Sequence, residues 1–491
     1  MEAIFTNKEK SLTSKKENDV FDIILFILIS LFAAFFTLGR FGGEADFELN
    51  QTGIVILGKE ILYTPSEPLN LHLFIPGTIC YLVIVFAFLI SRYKKVNKLP
   101  SKYILSLFAI FVFIRFISVF SFPYGEQSYF FTSPFNQSLV NVNYSGFSIT
   151  NRFISFFTDI FFASYFFIAF DYIKTLSKAF NKALDYFLYA IILLALVMTI
   201  YSYCAETSKI SNNIIFLFHD HSGGFDITIT SFTSYRNVYG FFLLMGCVAC
   251  FVLSFIRKPN PIYFILPLYF FITDFLVWSR TPLLCMYILF IVQLLFYAIF
   301  RFKKNKGYAI FSIAALSAMV ILIIFIFGIF RNSSLSQNLI FDLVHFSNHG
   351  TIESRYDLWE RALSMFNSPF YCIFGYNRSP FYTIQNNYGL LINSEHIWTS
   401  HNSFIDVLLS FGLLGFLFIL LAIGYLCYSC IMIIKRTNKI GTGLGFIAIG
   451  IVLIVYSCYE PRMLFLMEGT SIFFSIVFLW PVLKESNPTI V

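Results

Sequence analysis

The chain has 491 residues, of which 58% are hydrophobic, 20% aromatic and only 12% charged, with a formal net charge of +7. A soluble domain carries about twice that share of charge, so the composition excludes a soluble globular enzyme and points to an integral membrane protein. The excess of Lys and Arg follows membrane topology, and no module that would bind nucleic acid is recognisable.

In chain order, a polar tail at 1–20 precedes a series of apolar runs, each long enough to cross roughly 30 Å of hydrocarbon. They predict spans near 21–38, 71–91, 103–121, 153–172, 184–204, 237–256, 262–278, 282–300, 308–330, 402–434, 441–459 and 463–483. The expected fold is an all-α integral membrane protein of about twelve transmembrane helices. Residues 1–20 form a cytoplasmic tail, 21–330 hold helices 1–9, 331–401 form a large outer loop, and 402–491 hold helices 10–12 with a short cytoplasmic tail. With the amino terminus inside, most of the 34 basic residues, including the runs RYKKVNK and RFKKNK, fall on the cytoplasmic side, so both termini are expected there. The first span is followed by TLGRFGG without an A-x-A-like site and reads as an uncleaved anchor.

The nine cysteines lie mostly within spans. Cys247 with Cys250, and Cys427 with Cys430, have CxxC spacing but lack a second pair or a nearby His at zinc spacing, so they are expected to pack as small hydrophobes. HDH at 219–221, and His345, His349 and Glu353, have spacings that suit metal, yet no third strong ligand is fixed and no metal is expected. No Walker loop and no G-x-G-x-x-G at a strand-to-helix turn is present. Any chemistry therefore runs without ATP, in the outer segments 39–70, 122–152, 205–236 and 331–401. The last is far longer than the roughly fifteen residues beyond which a loop usually has a function. All four Trp (278, 359, 398 and 480) fall near predicted interfaces, as an aromatic belt would place them.

The outer segments carry unexpected cations. Inward-running spans begin at Arg152, Arg236, Arg280, His401 and Arg462, and the second span opens near His72. A positive side chain at a helix N-terminus opposes the macrodipole, and outer Arg opposes the topology rule. Two readings account for them: interfacial snorkelling toward lipid phosphates, or a ring of cations around helix N-termini that binds a multiply charged anion such as a diphosphate. Within the long loop, residues 351–367 predict an amphipathic helix, with Thr351 as N-cap and Pro369 beyond its end. Leu358, Trp359, Ala362 and Phe366 form its apolar stripe, and Glu353, Asp357, Glu360, Arg361 and Ser364 its polar one. Arg355 lies within the apolar stripe, which directs it either to a structural ion pair or to a cavity above the membrane. On a continuous helix His401 and Gly412 share a face, with Leu408 and Gly415 beside them, so the helix is expected to be a packed stem that holds His401 at the water boundary. Neighbouring arginines would keep that imidazole neutral and able to accept a proton.

These residues resemble a known family. HNSFIDVLLSFGLLG (401–415) is similar to the H-N-x9-G-x-x-G signature of the bacterial O-antigen ligase and O-antigen polymerase superfamily, and ESRYDLWERAL (353–363) resembles that family's R-x-x-x-W helix. SRTPLL (279–284) resembles its S-R-G segment, with Thr281 where glycine is usual, and SYRNVYG (234–240) its Asn-bearing start of a span. The resemblance implies helices around an outward-facing cavity and cofactor-free, metal-independent glycan transfer from undecaprenyl diphosphate. Arg280 and Arg355 would then grip the donor diphosphate, Arg236 would assist, and Arg378, Arg152 and Arg462 would add to the binding surface. His401 would position or deprotonate the acceptor hydroxyl.

A polymerase hands the growing chain to another lipid-linked repeat, whereas a ligase hands the finished chain to lipid A core or another acceptor. Arg378 and Gly389 give an R-x10-G resembling polymerase outer loops, while the histidine signature leans to ligase; polymerase is narrowly favoured. The expected partners are the undecaprenyl-diphosphate-linked glycan, an acceptor glycan or glycolipid, membrane lipids, a flippase and a chain-length regulator, in the bacterial cytoplasmic membrane. A flippase or other secondary transporter is the rival of another class, with inverted repeats and midplane charges as its marks. Here the intramembrane charges Arg115, Asp159 and Asp274 are expected near outer ends.

Overall fold

The computed structural model describes residues 54–56, 59–61, 102–120, 127–132, 139–144, 179–218, 236–256, 260–301, 402–437 and 440–460, with shorter pieces at 229, 231, 359–360, 362–363, 366, 369–375 and 400 and a few isolated helical positions. The helices are α1 (Lys102–Val119), α2 (Ala179–Ala205), α3 (Thr207–Phe218), α4 (Arg236–Ile256) and α5 (Ile262–Val277). They continue with α6 (Arg280–Arg301), α7 (Pro369–Phe374), α8 (Ser403–Thr437) and α9 (Ile440–Tyr459). The expected spans near 103–121, 184–204, 237–256, 262–278, 282–300, 402–434 and 441–459 coincide with α1, α2, α4, α5, α6, α8 and α9. Those near 21–38, 71–91, 153–172, 308–330 and 463–483 fall outside the described residues, apart from isolated positions in two of them.

Among the described residues, Leu188–Ala205 in α2 is long and apolar enough by itself to cross a membrane, and α1, α4, α5, α6, α8 and α9 contain apolar stretches of 10–17 residues. Two antiparallel hairpins lie in segments that the all-α expectation left as outer loops. Strands β1 (Ile54–Ile56) and β2 (Lys59–Ile61) pair with Val55 opposite Glu60. Strands β3 (Gln127–Thr132) and β4 (Leu139–Tyr144) pair with Phe130 opposite Asn141.

The packed body is organised around α4. From Tyr239 to Leu253 its side chains are buried, and α2, α5, α6 and α9 all pack against it. Small residues make this possible. A Cβ on Gly246 would come within 2.7 Å of the Phe270 ring and 2.9 Å of Ala195 Cβ, so glycine there lets α5 and α2 approach the helix closely. The peripheral helices turn apolar side chains outward: Leu193, Val197 and Ile200 of α2 are exposed, as are Ile265 and Ile272 of α5 and Leu413, Leu417 and Leu421 of α8. Polar side chains are buried instead, among them Arg115, Thr199, Ser202, Thr273 and Asp274. An apolar exterior over a polar-bearing interior suits lipid as the solvent. Arg115 lies in the C-terminal half of α1 and Asp274 in the last turn of α5, and Arg115 places its guanidinium carbon 5.0 Å from the centroid of the Phe411 ring.

The stem at α8 departs from expectation. A straight helix of 35 residues would be about 52 Å long, far more than roughly 30 Å of hydrocarbon requires. Gly412 breaks it, with φ 64° and ψ −165°, a conformation essentially restricted to glycine. The expected packed stem is therefore not one continuous helix but two helical segments joined at a corner, and the expected place of His401 on its face falls outside the described residues. That corner receives α7, whose Ile373 carbonyl and Gly375 amide occupy the space a Cβ on residue 412 would need. α7 begins with Pro369, which suits a first helical turn, and ends at Gly375 with φ 72°. Gly412→Ala is expected to destabilise the protein by about 2 kcal/mol or more, whereas Gly424→Ala, with nothing within 4 Å, should leave stability unchanged or raise it. Thermal unfolding of the two variants in detergent checks this.

Candidate functional site at the clustered helix ends

The starts of α4, α6 and α8 meet the end of α9, and each join uses a polar side chain. The α5–α6 turn comes first. Trp278 adopts a left-handed conformation (φ 60°) and donates its N–H to the Asp274 carbonyl at 2.8 Å, which closes α5. Ser279 then opens α6, its carbonyl accepting from Leu283 N at 3.0 Å. The turn lies tight against α4: a Cβ on Gly240 would come within 2.5 Å of Ser279 Oγ and 2.6 Å of Asp274 Oδ1. Glycine at 240 is what lets the turn reach Asn237, one helical turn earlier on α4. Ser279 Oγ donates to Asn237 Oδ1 at 3.2 Å, and Asn237 Nδ2 donates to Glu460 Oε1 at 3.3 Å. Ser403 Oγ completes the chain by donating to the Glu460 carbonyl at 2.7 Å.

The approach to α8 is built just as closely. Asn402 caps the helix, its Oδ1 accepting from Phe404 N at 3.0 Å and Ile405 N at 3.3 Å. Ser400 folds back onto the first turn, where its N–H donates to Asp406 Oδ1 at 2.9 Å and its Oγ lies 2.6 Å from the same oxygen. Its carbonyl faces the long loop and accepts from Trp359 Nε1 at 2.9 Å. The residues on both sides of position 401 are thereby held. Trp359 belongs to the expected helix 351–367, of which 359–360 and 362–363 are helical. Trp359 and Phe366 are half-buried and Ala362 is fully buried, while Glu360 is exposed, in keeping with the stripes read from the sequence.

Of the expected site residues, Arg236 and Arg280 are the first residues of α4 and α6, both half-buried. The bonded pair Asn237 and Ser279 brings these two positions together. His401, Arg355, Arg378, Arg152 and Arg462 lie outside the described residues. Ser400 and Asn402 flank His401, Trp359 follows Arg355 by four positions, and Arg462 lies two residues beyond Glu460 in the sequence. Sequence reading missed Glu460, Asp406 and the joining role of Ser279. Glu460 is 5% exposed, and an acidic residue next to a proline at the end of a span was the signal available for it.

Cys247 and Cys250 are buried in the apolar body, consistent with packing as small hydrophobes. Cys430 is buried too, whereas Cys427 is exposed on α8. Trp359→Phe keeps an aromatic ring but removes the donor to Ser400. It should cost about 0.5–1.5 kcal/mol of loop docking, to be detected as faster amide exchange and proteolysis around 353–366, with Trp359→Ala losing more.

Residues 267–420, running from within α5 to the part of α8 beyond the Gly412 corner, match a family model described as O-antigen ligase. The match takes in Ser279, Arg280, Trp359, Ser400 and Asp406, while Asn237 and Glu460 lie outside it. No curated protein matches the chain in sequence. Across these residues, about a third of its length, the chain is similar to the O-antigen ligase family.

Proposed function

We propose that the protein transfers a glycan from undecaprenyl diphosphate to a sugar hydroxyl at the outer face of the bacterial cytoplasmic membrane, as the polymerase of a surface polysaccharide. The observation that carries this reading is the hydrogen-bonded joining of the helix starts that bear Arg236 and Arg280 with the start of α8, and the bond from Trp359 that ties in the long loop. Helix N-termini joined at one place, two of them opening with arginine, suit a lipid diphosphate, whose charge grows as it leaves.

In this reading the acceptor hydroxyl oxygen attacks the anomeric carbon of the donor sugar. The bond from that carbon to the diphosphate oxygen breaks, and its electron pair stays with the diphosphate. Arg280 and Arg355 hold the departing charge, with Arg236 assisting and Arg378, Arg152 and Arg462 lining the approach. His401 takes the hydroxyl proton, a step worth typically about 10²–10⁴-fold. Both termini are cytoplasmic, and a flippase and a chain-length regulator work alongside.

The second reading, ligase, is favoured by the description of the matching family model. Deleting the gene separates the two. A polymerase leaves glycan of single repeats, whereas long chains that stay unattached to their final acceptor would establish the ligase.

Arg280→Ala, Arg355→Ala and His401→Ala, introduced singly, should each lower polysaccharide output by about 10²-fold or more at equal protein level. Intact surface glycan in all three would remove the enzyme reading. Output in isolated membranes should persist in chelator, since no step uses a metal.

A further inference from the structure

The chain Ser279–Asn237–Glu460 has a direction. A carboxylate can only accept, and the Ser279 hydroxyl donates, so the residue between them must accept on one side and donate on the other. Asn237 does both: its carbonyl oxygen faces Ser279 and its NH₂ faces Glu460. The Ser403 bond uses the backbone carbonyl of residue 460, which any side chain there would leave in place. The Glu460 carboxylate thus has a separate duty, to orient the Asn237 amide and through it the hydroxyl of the residue that opens α6. It is buried directly after the end of α9, where the Asn237 amide donates to it. The residues it links are distant in sequence, 223 positions apart for Asn237 and 57 for Ser403.

We propose that Glu460 is a positioning residue for glycan transfer: its carboxylate, by fixing the Asn237 amide, holds the first residues of α4 and α6, Arg236 and Arg280, in register with the start of α8. The proposal rests on the function proposed above. Glu460 touches neither donor nor acceptor, and its effect passes through the placement of cations, for which a shift of about 1 Å can cost on the order of 10²-fold in rate.

The test exchanges donor and acceptor. Asn237→Asp still accepts from Ser279 but sets a second carboxylate against Glu460. Glu460→Gln alone keeps an acceptor for Asn237. The double variant N237D/E460Q restores a hydrogen bond in the opposite direction, with one carboxylate and one amide as before. The probe is lipid-linked glycan extracted from the gene-deleted strain. It is supplied to membranes containing each full-length variant, and product is measured per unit of protein alongside the unfolding temperature in detergent.

N237D should lose on the order of 10²-fold in product, E460Q should stay close to wild type, and the double variant should recover to within about fivefold, since the two sites are coupled. If wild type makes product but the double variant is no better than N237D, or N237D is fully active, the positioning role is overturned while the function stands. If N237D fails to accumulate, Glu460→Ala is compared with E460Q under the same assay, and equal activity of the two overturns the proposal. Wild type that makes no product from the extracted glycan overturns the proposed function itself.

Discussion

The described site depends on one hydrogen-bonded chain, Ser279 to Asn237 to Glu460, closed by Ser403 on the Glu460 carbonyl. Helices supply their own backbone partners only in the middle. The first N–H groups and last carbonyls are left over, and near hydrocarbon they must be satisfied by protein. Here one such carbonyl, that of Glu460, is met by the Ser403 hydroxyl at the start of α8. Side-chain bonds through Asn237 join the starts of α4 and α6 to the same residue at the end of α9. Capping by Asn402 and the folding back of Ser400 onto Asp406 extend the same pattern to the segment around His401.

Glycine decides how near the elements come. Gly240 lets the α5–α6 turn settle on α4 until Ser279 reaches Asn237, and a methyl group there would meet both Ser279 and Asp274. Gly412 acts differently, because its backbone turns a corner that other residues avoid, and α7 fills that corner with its own backbone. Above it, Trp359 ties the long loop to the carbonyl of Ser400. The loop is therefore attached at two heights, once by an indole at the start of α8 and once by α7 at the bend. Arg115, buried with its guanidinium over the Phe411 ring, belongs to the same region of the bend.

Much of this was legible in the residues. Runs such as 237–256 and 441–459 coincide with α4 and α9 because lipid demands a continuous apolar length, a property that composition carries directly. The stripe of Trp359, Ala362 and Phe366 was legible for a related reason, since a helix on a packed surface repeats its apolar side at 3.6 residues. Arg236 and Arg280 stood out because they oppose both dipole and topology. Glu460 did not, because its partner is 223 residues away and nothing local distinguishes it from a polar residue at the end of a span. The hairpins were missed too, short strands lying in segments read as outer loops.

What the sequence by itself determined is the membrane class, the spans that coincide with α1, α2, α4, α5, α6, α8 and α9, and the residue types at their ends. These follow from solvent preference and helical period, which act residue by residue along the chain. Only the tertiary structure decided that α8 bends at Gly412, that α7 seats in the bend, and that Asn237, Ser279, Ser403 and Glu460 share one chain of hydrogen bonds. Those outcomes depend on which distant groups arrive within about 3 Å of each other, and a spacing along the chain does not contain a distance across it.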